Sequence, residues 1–492
     1  MAEAVLDAPP PRDRPVVRMS PEQLCQELLA RKRPLSAQEA ADIYAQGRPS
    51  VVGLFVTLSA QWVSARTGPQ APHPSTPSGM RAPYEKPPPK RRPRDPGRKK
   101  GHAGARRGPP QKINNHQEHS LGACPDCGGR LNKKPTRERT RIIEDIPEVE
   151  PVVTEHTICG YWCRRCEKIV EPMVADALPG SKIGNSLLAL TAWLHYGVGM
   201  TLSQILLLLN CHLNFKLSPG GLVQMWYRLQ EILYAWYVAI GEEVKAAGVV
   251  CADETGWRVS GLLHWLWCFT SQTATYYLID RSRGEVAIKK FFAEAFAGIL
   301  VTDFWKVYDR VVAAFKQKCL VHLFRELKKV DVRNRSPGWK AFRKTLKRLL
   351  RDALRLSKRE ELSSAEYDSR RARLDGRLNA IIAHPWKDAD ARRLAKRLLK
   401  YRDELFTFLD HEGVPADNNG GERAIRPAVI IRKNSFCNRS ERGANAQAVM
   451  MSVYRTLKLR GHDPIRTVVQ ALRVYLETGK LPPLPVPRAL LG

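Results

Sequence analysis

The sequence predicts a multidomain α+β protein. An α/β core is preceded by a cysteine-pair module and helical N-terminal segments, and is interrupted by a helical insertion. Three observations lead to this. At 492 residues the chain is longer than one hydrophobic core serves, so three or more units are expected. From Gly248 the pattern changes to short apolar runs of strand type around one helical stretch. Helical spacing dominates before that region and again from Trp339 to Phe408.

Charge narrows the class of partner. Lys and Arg number 80 against 49 Asp and Glu, a net charge of +31. Such a surplus favours a polyanion, because each neutralised phosphate releases a condensed counterion. No apolar run approaches the ~20 residues of a spanning helix, and Met1 to Arg14 has no apolar signal-peptide core. No membrane partner is expected, and the cytoplasm is the expected location. Eleven cysteines, four of them in two Cys-x-x-Cys pairs, suggest a metal and not a disulfide framework.

Residues 1–65 read as short helices. Ser20-Pro21-Glu22-Gln23 offers an N-cap, a first-turn proline and a capping-box glutamine, and Ser36 with Glu39 repeats the signal. Val51, Leu54, Phe55, Leu58 and Trp62 share one helical face, suited to oligomerisation, although no heptad persists. Residues 66–112 hold twelve prolines and thirteen Lys/Arg against two acids, the composition of a flexible basic linker. Within it Arg91, Arg92, Lys99 and Lys100 are DNA-binding candidates, the alternative being a solvated tether.

Residues 113–180 form the expected zinc-ribbon-like module. Cys124 and Cys127 precede a strand-like stretch, Ile142 to Ile158, and Cys163 and Cys166 follow it. Four thiolates in two tight turns suit tetrahedral, structural Zn²⁺, with Cys159 as an alternative ligand. Residues 181–245 are helical, and the break at Asn214 to Gly221 is compatible with a helix-turn-helix or with plain helical packing.

The core is expected in two parts, residues 246–330 and 409–460, with a basic helical insertion at 331–408 and a C-terminal helix and tail at 461–492. Val249–Ala252 runs into Asp253. Strand candidates Leu262 to Thr270 and Thr275 to Ile279 follow, then a helix at Glu285 to Phe296, then Gly298 to Thr302 leading into Asp303. In this β-β-β-α-β order the first and fourth strands can be neighbours, which brings the two carboxylates together. Adjacent buried carboxylates repel unless they share a cation, and hard oxygen ligands select Mg²⁺ or Mn²⁺. Two such ions about 3.5–4 Å apart stabilise both oxygens of an in-line phosphoryl displacement. Glu422 is the candidate third carboxylate, on a helix that Asp417 to Asn419 can cap, with Arg423 and Arg426 beside it for phosphates. Asp280, Asp309 and Glu441 are weaker rivals, and Asp303 has Lys306 nearby as an ordinary ion-pair partner.

These motifs together resemble a known family. They are Ala252-Asp253-Glu254-Thr255-Gly256-Trp257-Arg258, Thr302-Asp303, Cys319 to Arg325 with His322, Asp417 through Arg432-Lys433-Asn434, and Arg442-Gly443-Ala444. With the two cysteine pairs and the basic linker, they resemble the transposases of insertion-sequence-66 type over most of residues 66–475. The resemblance implies an RNase H-like core with a DDE triad of Asp253, Asp303 and Glu422, and it places Cys319 and His322 near that site. It also implies double-stranded DNA as partner (transposon ends and target), a homo-oligomer on DNA, accessory proteins from the same element, and a bacterial, nucleoid-associated setting. Arg432 and Lys433 join the DNA-binding candidates. Two departures stand out: Gly420-Gly421 replaces a bulkier residue and Ala, and no N-terminal leucine zipper is recognisable. The alternatives are an RNase H-like nuclease or resolvase that never joins strands, and a non-catalytic zinc-containing DNA-binding regulator.

Overall fold

A computed structural model describes residues 108–146, 149–359 and 361–488. The expected helices of 1–65, and Arg91, Arg92, Lys99 and Lys100 of the linker, lie outside the described residues.

Residues 108–146 and 149–160 are largely exposed and, apart from a turn at 125–127 and the bridge of Ala123 with Arg130, carry no regular structure. The strand-like reading of Ile142 to Ile158 is corrected here, because none of its described residues is in a strand. Ile143, Ile146, Val152 and Val153 stand in solvent. Alternating apolar residues make a strand only where another backbone accepts their hydrogen bonds, and none lies alongside. The first ladder is the small antiparallel hairpin β1 (Tyr161–Cys163) and β2 (Lys168–Val170).

Helices α1 (Asn185–Ala192), α2 (Leu202–His212) and α3 (Pro219–Ala246) come next. Thr201 and Gln204 close a capping box on α2, and Ser218 with Pro219 starts α3. Leu222, Met225, Trp226, Leu229, Leu233, Trp236, Ile240 and Val244 form a buried stripe along α3. That stripe packs α3 into the core, as either reading of the break before it requires.

The main sheet has β3 (Val249–Val259), β4 (Leu262–Thr270), β5 (Thr275–Asp280), β6 (Phe296–Thr302) and β7 (Ala313–Lys318) in the order β5-β4-β3-β6-β7. The first three are an antiparallel meander, and Ser260 and Gly261 turn its first hairpin at φ 49° and 76°. Helix α4 (Glu285–Phe291) crosses over to β6, which pairs parallel with β3, and β7 adds parallel to β6. The sequence reading had β3 stop at Asp253. The strand runs on to Val259, because β4 continues to pair with it after β6 has ended.

Helices α5 (Leu320–Arg333), α6 (Pro337–Leu356), α7 (Ser364–Ala383), α8 (Ala389–Lys400) and α9 (Thr407–Asp410) follow β7. Their apolar stripes (Phe342, Leu346, Leu349, Leu378, Leu394) build a second core that also takes in Cys251, Ile299 and Val301 from one face of the sheet. The other face, through Val250, Ala252 and Leu300, joins α3 and the last three helices. These are α10 (Asn419–Ser435), α11 (Glu441–Leu459) and α12 (Pro464–Thr478). The result is a mixed α/β layer, helices on both sides of a five-stranded sheet, with twelve α-helices among the described residues.

Candidate active site

The parallel pairing of β3 with β6 ends with Cys251 opposite Val301, so Asp253 lies two residues on along β3 and Asp303 one residue past the end of β6. Beyond Thr302 the β6 ladder ends and the chain turns. There Asp303 Oδ1 accepts a hydrogen bond from Trp305 N at 2.8 Å and is not paired with Lys306. Burial pushes the Asp253 carboxyl well above the usual carboxylate range, helped by the charges of Glu254, Asp303 and Glu422; the Glu254 N–H opposes the shift. Three other acidic groups thus act on Asp253.

Glu254 was quoted in the motif but not singled out as a site residue. Its side chain is almost fully buried and accepts from Tyr308 Oη at 2.5 Å and Arg283 Nη2 at 3.0 Å. The Arg283 guanidinium is stacked between Trp265 and Trp305, 4.2 and 3.9 Å from their ring centres. Burial and the charge of Asp303 raise the Glu254 pKa against the pull of Tyr308 and Arg283. Glu254 therefore braces the strand ends from behind, with its oxygens already satisfied.

Glu422 comes from the first turn of α10. The expected cap is only half right: Asn418 occupies the cap position, but its side chain makes no cap bond. Instead Asn418, fully buried, donates from Nδ2 to Ala252 O at 2.8 Å, and its N–H reaches Cys319 Sγ at 3.1 Å. That pair of bonds ties α10 to β3 and to the start of α5. The two glycines make the approach feasible. A β-carbon on Gly420 would sit 3.1 Å from Cys251 Sγ, and one on Gly421 would sit 2.9 Å from Asn418 Oδ1.

The Glu422 carboxylate accepts a two-pronged ion pair from Arg325 of α5, at 2.8 and 3.1 Å. Arg325 holds its pKa below the usual carboxylate range. His322, one turn earlier on α5, has Nε2 3.9 Å from Glu422 Oε1, and burial lowers its pKa. Its Nδ1 is buried without a hydrogen-bond partner among the described residues. Burial pushes the Cys319 thiol up. Arg423 and Arg426 are exposed on the outer face of α10. Arg432 is committed internally, with Nη1 2.7 Å from both Thr255 Oγ1 and Gly256 O, whereas Lys433 is exposed.

The rival acids are engaged elsewhere. Asp280 pairs with Lys290, and Glu441 faces His264. Asp309 binds Lys400 and the fully buried Lys318, which also reaches Glu404 and so locks β7 to the insertion.

Asp253 and Asp303 fit a hard cation, since a raised carboxyl among like charges is relieved by one. The oxygens of Glu422 belong to Arg325 in this arrangement, and no group of three or more metal-binding side chains is assembled among the described residues. The cysteine pairs are each formed as a turn. Cys124 N donates to Gly129 O, and Gly128 N to Cys124 O; Cys163 closes the β1–β2 hairpin with Cys166. Neighbouring backbone N–H groups lower the Cys124 and Cys163 thiols, the state in which they bind soft metals.

A family profile described as the IS66 transposase family matches residues 180–446, more than half of the chain. The chain belongs to the IS66 transposase family. A second profile, the zinc-finger binding domain of the IS66 transposase, matches residues 122–167 of this family member and spans both cysteine pairs. Two relatives of this IS66-family chain come from Sinorhizobium fredii. Uncharacterized protein y4qI is 27% identical over 386 residues, 70% of each chain. Uncharacterized protein y4hP is 24% identical over 381 residues, 69% of this chain and 68% of its own. No helix among the described residues is long and apolar enough to cross a membrane.

Proposed function

We propose that this chain is a DNA transposase that cleaves at transposon ends and joins the freed 3′ ends to target DNA. In this reading the sheet is an RNase H-like core, Asp253, Asp303 and Glu422 are its catalytic acids, and residues 331–408 are an insertion that contributes basic DNA-facing surface. The observation that carries the reading is the parallel register of β3 with β6, which brings Asp253 and Asp303 just past the paired residues of the two strands, with the Glu422 helix tied to β3 through Asn418. These acids would hold Mg²⁺ or Mn²⁺, which when bound would supply charge neutralisation at phosphorus and an activated oxygen nucleophile.

The chain's own residues do the rest. Asp253, whose burial raises its carboxyl, would be relieved by a cation held beside it. Glu254 and Tyr308 fix the strand ends so that the two aspartates cannot splay. Arg325 holds Glu422 in reserve, and transfer of Glu422 to the acidic pair leaves the Arg325 guanidinium free for a phosphate oxygen. Arg423 and Arg426 lie on the same helix for further phosphate contact. Most of the rate then comes from positioning and electrostatics. Cys124, Cys127, Cys163 and Cys166 would hold a structural Zn²⁺ in a module that binds DNA.

The test is cleavage of the DNA flanking the coding sequence with Mn²⁺. Asp303→Asn is expected to lower the rate at least about a hundredfold, the loss of a few kcal/mol of charge stabilisation. Wild-type cleavage by that variant sinks the assignment, and cleavage without joined products in a plasmid assay points to a nuclease.

A further inference from the structure

Helix α10 ends on an anomaly. Phe436, at its C-terminal cap, has φ 54° and ψ 29°, and Cys437 follows at φ 72°. Two consecutive left-handed residues without a glycine are strained, because each β-carbon crowds its own backbone. Glycine or asparagine is usual at such a helix end. Burial does not compensate Phe436, which at 85% exposure is the most exposed aromatic residue among those described.

The turn is nonetheless firmly mounted. Asn438 N donates to Arg258 O and Ser260 N to Asn438 O, each at 3.1 Å. Trp257 Nε1 donates to Asn438 Oδ1, and Ser260 Oγ to Arg439 O, each at 2.8 Å. Phe436 is therefore held out in solvent by a turn bonded to the far end of β3. Its chain neighbours are cationic. Lys433 and Arg439 are exposed, and their side chains have no hydrogen bond or ion pair among the described residues. Arg258 is also exposed, with one nitrogen on Gly261 O. Glu441, the one nearby acid in sequence, faces His264.

We infer that Phe436 is a base-stacking residue. Its ring packs on a nucleobase drawn out of the duplex stack, while Lys433, Arg439 and Arg258 hold the adjoining phosphates. An apolar ring in a cationic rim complements DNA, whereas the centre of a protein interface is depleted in charge. The length of α10 sets the ring about 20 Å from Glu422, roughly six base steps from the strand chemistry. The inference rests on the transposase reading for its ligand and not for its chemistry.

The experiment uses the full chain and 40-base-pair duplexes from the DNA flanking the coding sequence, each carrying one 2-aminopurine at a different position. Wild-type protein is expected to raise the fluorescence at one or two adjacent positions at least about twofold, as an unstacked base does. Phe436→Gly removes the ring and also relieves the strain. It is expected to abolish that rise and weaken binding about 5- to 100-fold, with an unchanged or higher thermal midpoint. Phe436→Trp is expected to keep the rise. No rise at any position, or a rise that survives Phe436→Gly, overturns the inference. So does a Phe436→Gly protein that changes oligomeric mass with its fluorescence response intact, since the ring then belongs to a protein contact. A rise that persists in Asp303→Asn, or in a wild-type protein that cuts no DNA, upholds the base contact even where the strand-chemistry reading fails.

Discussion

Asp253 is the residue whose environment makes the sharpest demand. A carboxyl whose folded pKa is raised favours folding only while both states are protonated. That contribution is lost as pH rises from the unfolded value near 3.8 toward the folded one. At pH 7 without metal, the site therefore opposes folding. Asp253→Asn keeps the oxygen that accepts the Glu254 N–H and removes the charge. In EDTA it is expected to raise the thermal midpoint by a few degrees, roughly 2–4 °C per kcal/mol for a domain of this size. Mn²⁺ should raise the midpoint of the wild type and leave the variant unmoved. A variant less stable than wild type in EDTA, across pH 5 to 8, would remove the basis for a cation at this place.

At the scale of elements, the junction of α10 with β3 is where a small change should be felt most. Asn418 cannot retreat from a β-carbon at residue 421, because it is pinned to Ala252 O and is fully buried. Gly421→Ala is thus expected to cost about 1–3 kcal/mol by overpacking, despite alanine's better helix propensity. Urea unfolding measures it. An increase in stability would mean that α10 does not approach β3 this closely. The close approach of α10 gives the pair of glycines a physical reason.

At the scale of the whole molecule, the cysteine pairs and the sheet share no buried core: the first pair lies in an exposed turn, while the buried residues of the first core start at Leu178 and those of the second at Cys251. A strong chelator is therefore expected to release about one zinc per chain, measured by elemental analysis, and to leave the main thermal transition within about 2 °C. Cys163→Ser should abolish zinc retention with the same small effect. Collapse of the main transition on chelation would show that the metal is integral to the core.

What is local or additive is legible in the sequence. The basic surplus, the two cysteine pairs and the β-β-β-α-β order are read from composition and from a period of two or 3.6 residues, and that order anticipates β3 beside β6. What only the tertiary structure decided depends on groups far apart in the chain. Arg325 meets Glu422 across 97 residues, and Asn418 meets Ala252 across 166. Glu254 adjoins Asp253 in the motif, but only the fold shows that helices cover both faces of the sheet and that Tyr308 and Arg283 close over it. The apolar stripe on α3 is legible as a period of 3.6 residues, but the core that it enters is set by packing. Periodicity tells which face of an element is apolar. Which partner that face meets, and which charge lies beside a carboxylate once water has been excluded, is set by three-dimensional packing.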